Sequence, residues 1–566
     1  LDTSLDGQVS VTLSATGSTG SPNTLPVSDG AASNGRNRLV IFGDGGDIGG
    51  TVYVQLIPND AEKIIYVRNN LSGSRSILLF QGTYNASNDY EVPAGTTAVV
   101  FFNGAGTGAV AANVFNNAHF DGLNLVGNLT VTGNLSVDGG TIKLDGNYPT
   151  GTGNVALGDT ALDSVASGGT NNTAIGANAG TAISTGDRNT AVGFDSLKTV
   201  TTGNHNTAVG YQALELNTGN NNTAVGDQAL EANTSGANNS AVGDDALVAN
   251  TTGAGNVAMG ASALGSNTTA SYNLAAGYYA LYSNTTGAQN TAVGNQAGYT
   301  TTTGNYNTSL GSNSLRLNTT GSRNTTLGYT ALQSNTTASD NVAVGYQAGY
   351  ANTTGTNLTA IGAYAGDANT TGNYNTAVGT YALTANTTGN WNTATGREAL
   401  SANTGSNNAA FGAMALVSNT TASNNTAVGY QAGYTNTTGT ELTAIGYHSG
   451  KSNTTGAANT AVGFNSLTLN TTGATNNAFG SGALYNNTTG SDNVAVGVNT
   501  LVTNTTGSNN VGVGRNALFS NTTANNNTAI GYNAVKDNTT GYSLTAIGRD
   551  AAHKNSTGIY NTAVGH

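Results

Sequence analysis

The sequence predicts an all-β chain, in which a parallel β-solenoid or β-roll of 17-residue coils follows a short β-helical neck and a small N-terminal β-sandwich. Three observations carry this expectation. Residues 151–566 repeat one motif, as in Asn206-Thr207-Ala208-Val209-Gly210-Tyr211-Gln212-Ala213-Leu214, with 25 anchor glycines from Gly158 to Gly565. Their spacing is 17 almost throughout, with one step of 18 (Gly158 to Gly176) and two of 16 (Gly210 to Gly226 and Gly396 to Gly412). So regular a period means one turn of chain stacked on the last. The repeat is made of Gly, Asn, Thr and Val, which disfavour helix or favour strand and turn. Both short steps drop one Thr from Asn-Thr-Thr-Gly, at Asn217-Thr218-Gly219 and Asn403-Thr404-Gly405, which marks that point as a turn.

Bulk composition narrows the function classes. Among 566 residues there is no Cys, so disulfides and thiolate metal sites are excluded. A net charge of −12 argues against a nucleic-acid partner. No apolar run approaches the ~20 residues of a membrane-spanning helix, so no membrane insertion is expected. The chain starts at Leu1 and stops at His566 in mid-repeat, which suggests a piece of a longer protein.

Residues 1–35, rich in Ser, Thr and Gly, look like a linker or a loose first strand. Residues 36–121 change pattern. Thr51–Ile57, Lys63–Val67, Ser76–Phe80 and Thr97–Phe102 look like strands, the last followed by the turn pair Asn103-Gly104. Several short strands between turn residues suggest a small sandwich. Residues 122–150 step by six, as in Leu129-Thr130-Val131-Thr132-Gly133-Asn134, the pattern of a narrow β-helical neck. One chain has too few apolar side chains there to close a core, whereas three wound together would.

Within the array, residues 151–566, positions are numbered from the anchor glycine. Position −1 is nearly always apolar (Val192, Met259, Phe411, Phe479; exceptions Ala276 and Thr395), and position −2 is usually Ala (Ala191, Ala208, Ala224). Adjacent strand residues face opposite sides, so both faces are apolar, one large and one small. One face would fill the coil and the other meet sister chains, the small residues permitting close approach around a threefold axis. Position +4 carries Leu (Leu197, Leu214) or Gly (Gly349, Gly433), and the variable position +1 suggests an exposed ridge. Asn recurs at −4 (Asn189, Asn206) and at +7 (Asn250, Asn386, Asn504), and identical amides stacked at ~4.8 Å can form ladders that set register. Leu358, Leu442 and Leu544 replace the first of these. The 25 rungs would span on the order of 115 Å.

The Asn-Thr-Ala-Val-Gly and Thr-Ala-Ile-Gly cores resemble the head repeats of trimeric autotransporter adhesins, which are trimeric β-rolls of typically shorter repeats. The order of a small β-domain, then Asn128-Leu129-Thr130-Val131-Thr132-Gly133-Asn134-Leu135-Ser136-Val137-Asp138-Gly139-Gly140, then the long array more closely resembles tail fibres of tailed phages, particularly marine ones. The resemblance covers nearly the whole chain and implies a homotrimeric, extracellular fibre shaft in a virion. Its partners would be phage tail proteins on the N-terminal side and a host-surface glycan or protein reached through a tip outside this sequence. The alternatives are a bacterial surface trimeric adhesin head and, in another class, an ice-binding β-solenoid. Against the last, the recurring pairs are Thr-Thr in a turn and Thr-Ala in a strand.

Chemistry-bearing constellations are sparse, and neither catalysis nor a cofactor is expected. Paired carboxylates for polysaccharide cleavage could come only from adjacent coils: Asp227 and Asp244 share a register, as do Glu215 and Glu231, with Asp245 beside them. The same patch (Asp227, Asp244, Asp245) is a weak Ca²⁺ candidate, against the plainer alternative of a solvated acidic face. Gly43-Asp44-Gly45-Gly46-Asp47 matches no calcium-loop spacing and is expected to be a turn. The five His fall at unrelated positions. Tyr346, Trp391, Tyr430 and Tyr447 could stack on sugars; the alternative is that they pack over turns.

Overall fold

A computed structural model of the chain describes residues 8–26, 39–58, 62–87, 89–105, 111–113, 151–166 and 168–566. The chain divides into two compact units, Leu1–Gly140 and Thr141–His566, and no helix occurs among the described residues.

In the first unit, one sheet joins β1 (Gln8–Leu13), β3 (Leu39–Asp44), β5 (Glu62–Asn69), β8 (Thr97–Asn103) and β9 (Ala111–Asn113). The other joins β2 (Asn23–Pro26), β4 (Val52–Ile57), β6 (Ile77–Gln81) and β7 (Asp89–Val92). Alternation puts one face of each strand inward: Val52, Val54 and Leu56 of β4 are buried, as are Val40 and Phe42 of β3, and the two sheets share one core. The connectivity is not that of an antiparallel sandwich. The first six strands alternate between the sheets, and within each sheet they pair in parallel, β1 with β3 with β5 and β2 with β4 with β6. A parallel pair needs a crossover, and here each crossover is a strand of the opposite sheet. Only β7, β8 and β9 pair antiparallel.

Of the two expectations for residues 1–35, a linker or a loose first strand, residues 8–26 take the strand form and extend it, because β1 and β2 start the two sheets and bury Leu13 and Leu25. The alternation Val9-Ser10-Val11-Thr12-Leu13 suits a half-buried strand, whatever the composition around it. The expected neck, residues 122–150, lies outside the described residues.

In the second unit, a single 25-stranded parallel sheet runs from β10 (Val155–Leu157) to β34 (Thr562–Val564), in sequence order and one strand per coil. Each strand is three residues long, spanning positions −3 to −1, and pairs in register with the next, as Thr190, Ala191 and Val192 do with Thr207, Ala208 and Val209. Backbone bonds tie each coil to its neighbours on both sides: among them, Thr190 N–H donates to Asn206 O at 2.8 Å, and Gly193 N–H to Ile175 O at 2.8 Å. The anchor glycine has to be glycine. At Gly379, φ is +134°, and an added Cβ would lie 2.6 Å from the carbonyl oxygen of Gly396 in the next coil.

The interior is thin. Ala at −2, Ala at +3 and Leu at +4 form the core, which falls into three successive clusters, Ala161 to Ala297, Leu315 to Ala444 and Ala461 to Ala551, with Ala208, Ala213 and Leu214 fully buried. This overturns the expectation that the alanines meet sister chains. They fill the coil, and the large residue at −1 is the one that faces out, with Met259 at 53 % exposure and Phe411 at 43 %. A three-residue strand facing so narrow a lumen favours a small residue at its centre, and the larger or polar exceptions, Ser309 and Thr326, are buried with their hydroxyls bonded to Ser314 O and Thr308 O.

Where Leu358 replaces the usual Asn at −4, it swings into the core between Gly349 and Gly366, the +4 residues of the preceding coil and of its own. A Cβ on those glycines would lie 3.1 and 3.6 Å from its methyl carbons. Leu442 sits likewise between Gly433 and Gly450. Leu544 has Val535 and Ala552 in the corresponding places. The two Leu-to-Gly replacements therefore accommodate one inserted Leu.

Candidate functional site

The amide ladders are the most extensive polar feature. At −4, the Asn189 Oδ1 accepts the backbone N–H of Asn206 at 3.0 Å and its Nδ2 at 3.1 Å, while Asn206 Nδ2 also donates to Gly219 O at 2.9 Å. At +7, Asn250 Nδ2 donates to Asn233 Oδ1 at 2.7 Å and to Gly253 O at 3.1 Å. Asn386 and Asn504 repeat this pattern, donating to Asn369 Oδ1 at 2.9 Å and to Asn487 Oδ1 at 2.7 Å. These side chains are fully buried, so each rung satisfies groups that would otherwise be costly to leave unpaired. The ladder's orphaned atoms fall where the next rung is altered. Asn284 Oδ1 precedes Thr301, Asn341 Nδ2 precedes Leu358, and Asn386 Oδ1 precedes the shortened turn at Asn403. The first coils carry Val165, Ile183 and Val200 at +7, so that ladder begins at Asn217.

The exposed aromatics stack on one another. Tyr430 and Tyr447 are 5.6 Å apart at 20°, and Tyr447 and Phe464 5.4 Å apart at 11°, so both faces of Tyr447 are covered. Tyr346 stacks on Tyr329 at 5.7 Å and meets the edge of Tyr364. Trp391 lies 4.0 Å from Tyr374 at 8°. One rung-to-rung spacing brings rings at equivalent positions face to face, which withdraws both flat surfaces of Tyr447 and one each of Tyr430, Tyr346 and Trp391 from a sugar. Spacing alone could have foreseen this, since the rings recur at the same position in successive repeats.

The acidic patch is drawn together in part. Glu231 is held above the usual carboxylate range by burial and then by the nearby charges of Glu215, Asp245 and Asp227. Burial, then Asp244 and Asp227, raise Asp245 in the same way. Glu215 is compensated: Lys198 Nζ reaches its carboxylate at 3.4 Å while also pairing with Asp195 at 2.8 Å. Gln212 and Gln228 donate to Glu215 and Glu231 at 2.8 and 3.3 Å. Among the described residues no group of three or more His, Asp or Glu converges closely enough to hold a metal ion, and this includes Asp227, Asp244 and Asp245. The Gly43–Asp47 loop has its carboxylates engaged. Asp44 accepts from Ser72, and Arg75 grips Asp47 through two bonds of 2.9 and 3.0 Å, holding its pKa at about 2.

A shallow groove of about 360 Å³ spans two successive coils, lined by Tyr381, Thr384, Glu398, Ser401 and Ala402. It presents one carboxylate, Glu398, which pairs with Arg397 at 2.6 Å. The acid–base pair of a glycosidase is not assembled there. No described helix is long and apolar enough to cross a membrane. Comparison with family profiles, curated proteins and solved structures returned no match.

Proposed function

We propose that the chain is the structural and adhesive shaft of an extracellular attachment fibre, of the kind borne by tailed phages, with three copies side by side and a receptor-binding tip beyond this sequence. The observation that supports this best is the unbroken 25-strand stack, whose rungs are tied by backbone bonds and two amide columns. Such a stack resists bending and stretching at every rung, which suits reach and load. Position +1 varies from rung to rung and offers weak, repeated surface contact rather than one binding pocket. The cell-envelope adhesin head remains the alternative of the same mechanical class.

One observation favours the ice-binding alternative more than the sequence did: Thr at −3 and the β-branched residue at −1 share the outer face, as Thr359 and Ile361 do. A shaft should show straight segments in negative-stain images, a solution mass of three chains of 56.3 kDa, and no effect on ice growth. Flexible strings or separate globules would contradict the proposal, and thermal hysteresis would replace it.

A further inference from the structure

The outer column at position −1 is the largest regular apolar feature left uncovered by the chain itself. Of 25 rungs, 23 carry Val, Ile, Leu, Met or Phe there, Ala276 and Thr395 being the exceptions. Its largest members stand well out of the surface: Met259 is 53 % exposed, Leu327 51 %, Phe411 43 % and Phe479 42 %. Soluble proteins rarely leave a contiguous apolar strip of this extent in water. At roughly 60 Å² per side chain the column offers on the order of 1,400 Å² per chain, above the ~800 Å² per partner of a standard stable interface.

We infer that this column, and not the alanines, is where a second copy of the same chain docks, its own −1 column against this one. The repeat spacing selects the occupant. The strip presents one apolar side chain per strand spacing for 25 rungs, and another copy of the chain carries apolar side chains at that same spacing over that same length. The strip is one residue wide and runs along the stack, so copies can close around an axis parallel to it. That there are three rests on the proposed function; the choice of surface does not.

The test uses the full chain in two forms. In the first, Met259→Asp, Leu327→Asp, Phe411→Asp and Phe479→Asp are combined. A control combines Thr252→Asp, Thr286→Asp, Thr354→Asp and Thr421→Asp in the exposed turns. Light scattering should show the wild type and the control at the mass of three chains and the column variant at that of one, 56.3 kDa, with its β-type circular dichroism retained. The second form needs no disruption of the surface. The chain lacks Cys, so Val428→Cys and Thr438→Cys each supply a single thiol, and oxidation should cross-link chains at the first and not at the second. A folded column variant that keeps the oligomeric mass, or cross-linking confined to Thr438→Cys, would overturn the docking surface and leave the trimeric shaft standing. A monomeric wild type would overturn both, and if it also showed thermal hysteresis the face would belong to an ice lattice.

Discussion

The exchange of two leucines for one, seen around Leu358, can be rebuilt elsewhere in the stack. Asn392 occupies the place of Leu358, and Leu383 and Leu400 occupy those of Gly349 and Gly366; all three are fully buried. Asn392→Leu alone removes the Nδ2 bond to Gly405 O (2.9 Å) and the Oδ1 acceptor of the Asn408 N–H (3.1 Å), and it overfills the core. Unmet polar groups at about 1–3 kcal/mol and overpacking at about 1–3 kcal/mol give a loss of about 4 kcal/mol. Leu383→Gly with Leu400→Gly opens two cavities, each at about 3–5 kcal/mol. Relief of positive φ, 55° and 51° in the two leucines, offsets about 1 kcal/mol per residue. The three together should recover about 3 kcal/mol relative to the sum, because the new Leu fills the space the others leave. Hydrogen exchange of the coils between Gly379 and Gly412 reads this as local opening free energy, which suits a stack whose rungs contact only their neighbours. Additivity within about 0.5 kcal/mol would refute the account of core filling.

Three further outcomes follow from the same geometry. Gly379→Ala should weaken its coil by about 3 kcal/mol or more through backbone clash and forced φ, and open a new protease-sensitive point there. Gly482→Asn should be nearly silent, since Asn465 and Asn499 hold the same column at φ of 53° and 54°. Glu231 and Asp245 bind protons more tightly folded than unfolded, so their contribution to stability is present at low pH and lost as pH rises through and above the ordinary carboxylate range. Glu231→Gln with Asp245→Asn should therefore raise the melting temperature at pH 7 and leave it unchanged near pH 3; equal effects at both pH values would contradict the assignment. Trp391, the single Trp of the chain, has one face against Tyr374, so its emission should shift in Tyr374→Ala and stay constant on titration with oligosaccharides. Saturable quenching by a sugar would restore the stacking role.

The solenoid was legible because its period is kept in nearly every repeat, and the two Asn columns follow from that period alone. What the alternation rule left open was which strand face turned inward. The sequence contains that answer in another form: Ala at −2 hardly varies, whereas −1 runs from Thr395 through Val192 to Phe411, and a thin lumen cannot tolerate such variation. Compensation around Leu358 was out of reach, since it joins residues of two successive coils that lie far apart within the repeat. The strands β1 and β2 were hidden by the Ser, Thr and Gly surrounding Val9, Val11 and Leu25. The aromatic candidates were identified as exposed, and their recurrence at one position of successive repeats already implied that they stack on one another. The acidic column was visible, though not the reach of Lys198 into its first member.

The central claim is that these coils stand three abreast, each contributing its outward column to a common seam. Mass per length along isolated fibres tests it most directly. One chain of 17-residue coils at ~4.8 Å per rung weighs roughly 0.35 kDa per Å. The account predicts about 1 kDa per Å over a stretch on the order of 115 Å, whereas the single-chain value over that stretch would contradict it.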